Sequence, residues 1–174
     1  MKRCLIIVDM LNDFVSDGGA LRVEGAEKLI PIINEIKGKF DKVVFACDSH
    51  LENDKEFDLF PKHCVSDTWG AKIVDGIKPN DEDFLATKVD LSCFTNPDVH
   101  KYLLKEKIDE VVVVGVATEY CVRGAVIDAL KLGFKVKVVV DAIAGVDINT
   151  GDQFKALIEM GNNGAVAVNA CDIM

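Results

Sequence analysis

Short apolar, β-branched runs alternate along this chain with amphipathic segments of helix length, and that rhythm is its strongest constraint on fold. The runs fall at 4–8, 42–47, 84–87, 110–114, 135–140 and 165–168, and helical spacing falls at 25–37, 97–105, 121–132 and 150–160. The runs are nearly continuous in Val and Ile rather than alternating with polar residues, as strands buried on both faces are. Alternation of this kind predicts a single α/β domain over 1–174, a doubly wound sheet of six mainly parallel strands with helices on both faces. Connectivity habits give the order 3-2-1-4-5-6, with the first and fourth strands side by side.

No repeat, low-complexity tract or Pro/Gly-rich linker divides the 174 residues, a length that buries a sizeable core without staples. Six cysteines without a CxxC pair or knuckle spacing point to reduced thiols in a cytoplasm. Lys2 and Arg3 precede an apolar run as in a signal peptide, but the run stops at Asp9 and reads as a first strand. No stretch approaches the roughly 20 apolar residues of a membrane helix. A net charge of −9, with basic residues scattered, speaks against nucleic acid and anionic membrane as partners.

Parallel sheets bind ligands beyond the carboxyl ends of their strands. Those ends carry Asp9, Asp48 with His50, Lys88, the turn 117–121, and Asp141. One segment breaks the rhythm: 48–83 is long, polar and irregular, and such loops in compact domains tend to be functional.

Among the cysteines, Cys121 stands apart because it follows a β-branched run and opens a helical segment, where unpaired N–H groups favour a thiolate and can hold an oxyanion. Free cysteines are otherwise ordinary small buried hydrophobes. Asp9 could accept the thiol proton, and Lys88 could favour the thiolate while placing the carboxylate. The plain alternatives are a turn cap for Asp9 and a solvated surface lysine for Lys88.

Asp48, His50 and His63 form a second group: Asp-x-His at a strand end aims two ligands one way, and the long loop can return a third. A carboxylate and two imidazoles suit a divalent transition metal, zinc first and Fe2+ or Mn2+ next, with Glu56 or Glu52 as an added ligand. Surface histidines and a turn aspartate would leave the same pattern. His100 reads as a surface residue. Phe14, Trp69 and Tyr120 could sandwich a flat ring, although core packing explains any one of them. Neither GxGxxG nor a P-loop is present.

Taken together, Val8-Asp9-Met10-Leu11-Asn12-Asp13-Phe14, Phe60-Pro61-Lys62-His63-Cys64, Thr87-Lys88 and Gly115-Val116-Ala117-Thr118-Glu119-Tyr120-Cys121-Val122 resemble the isochorismatase-like cysteine hydrolases, among them the nicotinamidase/pyrazinamidase group. The resemblance spans nearly the whole chain. It implies a catalytic triad of Asp9, Lys88 and Cys121, a cis Val116–Ala117 peptide, and an oxyanion hole from the N–H groups of Ala117 and Cys121. It also implies a metal held by Asp48, His50 and His63, with Glu56 as the added ligand, that orients a pyridine ring in a small carboxamide substrate. The implied reaction is nicotinamide to nicotinate and ammonia through a cysteine thioester, a step of pyridine-nucleotide salvage. Leu11, Phe60 and the segment after Lys88 depart from the group's common residues, and they touch the substrate wall more than the reaction type. Other amide or ureido hydrolases of the family remain open, as do a vinyl-ether hydrolase and a non-catalytic metal or thiol sensor on the same fold. Whether the chain forms a homo-oligomer is open too.

Overall fold

The N-terminal apolar run forms β1 (Arg3–Val8), and its side chains split between two cores in the computed structural model, which describes residues 1–173. Leu5 and Ile7 pack on one face of the sheet, Cys4, Ile6 and Val8 on the other. This is the period-2 geometry of a strand covered on both sides. The remaining strands are β2 (Val43–Asp48), β3 (Phe84–Lys88), β4 (Glu110–Val116), β5 (Lys135–Ala144) and β6 (Val166–Val168). All pair in parallel, in the order β3-β2-β1-β4-β5-β6 that the connectivity predicts.

Five helices follow in chain order: α1 (Asn12–Val15), α2 (Leu29–Lys37), α3 (Pro97–Lys105), α4 (Arg123–Lys131) and α5 (Asp152–Asn162). α2 buries Leu29, Ile33 and Ile36 on the Leu5 face. α3, α4 and α5 cover the other face through Val99 and Leu103, Ala125, Val126 and Ala129, and Met160. Truncating a fully buried Ile33 to Ala would cost about 2–5 kcal/mol. α3 begins where the sequence places it, because Pro97 is pre-set for the first turn and the Asn96 side chain accepts the Asp98 N–H.

Most boundaries fall within two residues of the sequence reading, and three places differ more. The segment 25–37 opens with a 3-10 turn, Ala26–Lys28, before α2. The helix expected from 121 starts at Arg123, after a π-helical turn over Thr118–Val122. β5 runs to Ala144, past the expected end. Its pairing with β4 shifts between Val113 and Gly115, from Val138 to Ile143, so extra residues are accommodated in the strand. Asp141 therefore lies exposed within β5 rather than at its end, and its Oδ1 accepts the Ala170 N–H at 2.8 Å.

At the switch point, Gly115 pairs with Val8 and has φ +110°. A Cβ there would sit 2.0 Å from the Val8 carbonyl oxygen, so only glycine lets β1 and β4 approach this closely. The irregular segment after β2 returns to the sheet end through a bridge of His50 with Val65, and another pairs Leu11 with Ile73. No helix among the described residues is long and apolar enough to cross a membrane.

Candidate active site

Sheet register assembles the site. Asp48 is the cross-strand partner of Lys88, and Asp9 follows Val8, whose other neighbour on β4 is Gly115. Asp9 adopts φ +49°, which turns its side chain across the strand ends, where Oδ1 accepts the Asp48 N–H at 2.9 Å. Lys88 Nζ lies 2.8 Å from Asp9 Oδ2 and 3.4 Å from Cys121 Sγ, and it donates to Asp48 Oδ1. Asp9, Asp48 and Cys121 bring their reactive atoms within 4.8 Å of one another. The three residues of the expected triad thus meet, and all are buried.

Burial dominates their protonation. Removal from water pushes the Asp9 carboxyl up to about 6, the neighbouring Asp48 charge adds to this, and Lys88 pulls the other way. Burial likewise holds the Cys121 thiol well above its ordinary range, against the pull of Lys88. Burial opposes charge on Lys88 as well, but the Asp9 and Asp48 carboxylates outweigh it and keep the ammonium charged. The sequence reading has Asp9 take the Cys121 proton while the helix end and the ammonium favour the thiolate. Burial works against that thiolate and makes Asp9 a better base than an exposed carboxylate.

The Val116–Ala117 peptide is cis. The Ala117 carbonyl accepts the N–H groups of Tyr120 and Val122, and no acceptor among the described residues takes the Ala117 N–H. Ala117 and the Cys121 turn line one cavity together with Asp9 and Asp48. Phe14 and Tyr120 line it as expected. Phe14 leans on His63, with ring centroids 5.5 Å apart, and Tyr120 meets Phe60 edge-on at 6.2 Å.

Trp69 does not line the cavity. Its residue is 51% exposed, and its contribution is through the backbone: its carbonyl accepts from Asn12 Nδ2 at 2.9 Å and from the Lys72 N–H at 3.1 Å. Glu52 pairs with Lys62 on the surface, away from the imidazoles. His100 is half-buried, with its ring edge-on to Phe134 at 5.9 Å.

Asp48, His50 and His63 converge beside the cavity, with potential ligand atoms within 4.8 Å of one another. His50 Nε2 lies 3.6 Å from Asp48 Oδ2 and 4.0 Å from Glu56 Oε2, and His63 Nε2 lies 3.8 Å from Asp48 Oδ2. Each imidazole has its other nitrogen engaged. His50 Nδ1 meets Asp54 Oδ2 at 3.1 Å, and His63 Nδ1 donates to the Pro61 carbonyl at 2.7 Å. Such partners fix the tautomer that leaves Nε2 free for a cation. His50 Nε2 is buried without a hydrogen-bond partner, an arrangement that fits a metal ion. Asp48 and then Asp54 hold the His50 pKa up to about 9 against burial, so the place favours positive charge. Burial raises the Glu56 carboxyl, while the two histidines pull it down.

Sequence reasoning missed several residues. Leu21, Val23, Val146 and Ile148 line the cavity from loops with no periodic signal. Asp13 is buried under the site, its Oδ2 accepting the Cys64 N–H at 2.7 Å and its Oδ1 the Ala20 N–H at 3.0 Å. It thereby pins the backbone beside His63 and the approach to Leu21. A buried acid in Asn12-Asp13-Phe14 was the available cue.

The Isochorismatase domain family matches residues 3–171. The nicotinamidase of Saccharomyces cerevisiae is 33% identical over 186 residues, covering 80% of this chain and 86% of that protein. The nicotinamidase of Escherichia coli is 30% identical over 213 residues, covering 98% and 96%. The crystal structure of the pyrazinamidase of Pyrococcus horikoshii in complex with zinc superposes with a TM-score of 0.89 at 36% identity, covering 97% of this chain and 99% of that one. With its strand order, strand-end residues and full-length match in agreement, the chain belongs to the isochorismatase family, with nicotinamidases and pyrazinamidases among its relatives.

Proposed function

We propose that this protein is a nicotinamidase that also accepts pyrazinamide, with Asp9, Lys88 and Cys121 as its catalytic residues. The observation that carries the reading is the meeting of these three side chains, with Asp9 and Cys121 lining an apolar-walled cavity and Lys88 in contact with both. A planar carboxamide enters between Phe14 and Tyr120 with its carbonyl carbon toward Cys121 Sγ. Asp9 takes the thiol proton as sulfur attacks, and the carbonyl oxygen gains negative charge. The Ala117 and Cys121 N–H groups are the donors that would hold that oxyanion. Collapse breaks the C–N bond, the proton on Asp9 leaves with the amine as ammonia, and a thioester to Cys121 remains. Asp9 then takes a proton from water as its oxygen attacks, releasing the carboxylic acid and restoring the thiol.

Lys88 stays charged throughout and keeps Asp9 aimed at sulfur. When bound, a divalent metal ion on Asp48, His50 and His63, with Glu56 as the added ligand, would supply a Lewis-acid contact to the ring nitrogen. A thiol sensor is a poorer reading, because such thiols are exposed and readily ionised, whereas Cys121 is buried and its burial works against the thiolate. The test is ammonia release from nicotinamide and pyrazinamide, with mass spectrometry of the acid-quenched enzyme for an acyl adduct on Cys121. Absence of both would overturn the proposal.

A further inference from the structure

The Cys121 turn carries another buried carboxylate that none of the steps above uses. Glu119 is 9% exposed, and its Oε1 accepts the N–H groups of Val146 at 2.8 Å and Asp147 at 2.6 Å. Those amides belong to the loop from β5 to α5, and Val146 and Ile148 of that loop form one wall of the cavity. The wall has little packing of its own, since Val146 is 43% and Ile148 66% exposed. On the other side, the Glu119 carbonyl accepts from Arg123 Nε at 3.0 Å, and Arg123 Nη1 reaches Glu159 of α5 at 2.9 Å. Asp147, at φ +55°, continues the chain of contacts by accepting the Gln153 N–H in α5 at 3.0 Å.

Glu119 Oε2 is buried with no partner, and it presses against Gly145. A Cβ at 145 would come within 2.2 Å of that oxygen and 2.5 Å of Gln153 Cγ. Burying a carboxylate is costly unless its hydrogen bonds repay it, so its presence here needs a purpose. We infer that Glu119 is a positioning residue that ties the Val146–Ile148 wall to the Cys121 turn, so that wall and thiol keep a fixed spacing and admit amides of one width. This rests on the hydrolase reading of the cavity.

The test compares Glu119→Ala, Glu119→Gln and Gly145→Ala in the full chain by three readouts. These are KM and kcat for the amide the wild type hydrolyses, amide exchange at Val146 and Asp147, and the pH profile of Cys121 alkylation by iodoacetamide read on its peptide. Glu119→Ala should speed exchange at both amides and raise KM about tenfold with kcat within about threefold, as a displaced wall predicts. The alkylation pH profile should not move. Glu119→Gln should restore exchange and KM, because its carbonyl oxygen still accepts both N–H groups. Gly145→Ala should copy Glu119→Ala, and the double variant should be little worse than either.

Wild-type exchange and KM in Glu119→Ala, failure of Glu119→Gln to rescue, or a shifted alkylation profile would each overturn the inference. If Glu119→Ala does not fold, the contrast between Glu119→Gln and Gly145→Ala decides it. If no carboxamide is hydrolysed by the wild type, the functional proposal fails, and the exchange contrast still decides the tie.

Discussion

Asp48 gives one carboxylate oxygen to Lys88 and turns the other toward the Nε2 atoms of His50 and His63. Lys88 in turn contacts Asp9 and Cys121. The candidate metal centre and the candidate thiol chemistry are therefore neighbours through a single buried ion pair. The nearby His50 imidazole and the charge of Lys88 overcome burial and hold Asp48 below the ordinary carboxylate range, so it is charged toward both sides.

Removing Lys88 should therefore cost more than activity. Lys88→Met leaves Asp9 and Asp48 buried without their cation, and loss of one partner of such a group costs about 3–5 kcal/mol. Cys121→Ala removes no charge partner and should keep wild-type stability while losing hydrolysis by about a thousandfold or more. Urea denaturation alongside ammonia release separates the two variants. Equal stability in both would show that the ion pair is not what holds the carboxylates.

Purified protein should carry close to one equivalent of a divalent metal by elemental analysis, and His50→Ala should lose it. Chelation should lower the thermal midpoint of the wild type and leave that of His50→Ala unmoved, by linkage of binding to folding. A metal-free wild type with full activity would count against the centre.

Asp9 must be ionised to accept a proton, and its pKa is raised to about 6, so kcat/KM should fall as pH drops through about 6. The sign for stability is opposite. The folded state holds this proton at pH values where the unfolded chain has released it, so the contribution of Asp9 to stability grows as pH falls through about 6. Asp9→Asn should abolish activity and remove that part of the pH dependence, measurable by denaturation at pH 5 and 7.

Nicotinamide should be turned over with a kcat/KM about tenfold or more above benzamide in metal-loaded enzyme, because benzamide has the same width but no ring nitrogen. Equal values would move the assignment toward another amide or ureido hydrolase of the family.

Much of this was legible because the informative residues end apolar runs. Asp9, Asp48 and Lys88 each end a largely apolar run at a place where a polar side chain can only face a cleft or a partner, and parallel register then brings them together. α3 spans Pro97–Lys105 as its spacing predicts, with Pro97 pre-set for the first turn. The end of β5 was not legible, since the shift in its pairing with β4 leaves no mark in composition. Trp69 misled because a loop used its carbonyl rather than its ring. Leu21 and Val146 come from loops far apart in sequence, and only the folded chain places them on one cavity.

The bare backbone at Gly115 bears on any effort to move this chemistry elsewhere. With room for nothing larger than a hydrogen between it and Val8, that crossing sets how near Asp9 can stand to the turn bearing Cys121. A transplant of the three reactive side chains onto another doubly wound sheet would carry the chemistry only if the recipient's two central strands also met without a side chain between them. In such a transplant this glycine belongs with the reactive residues, although it does not line the cavity.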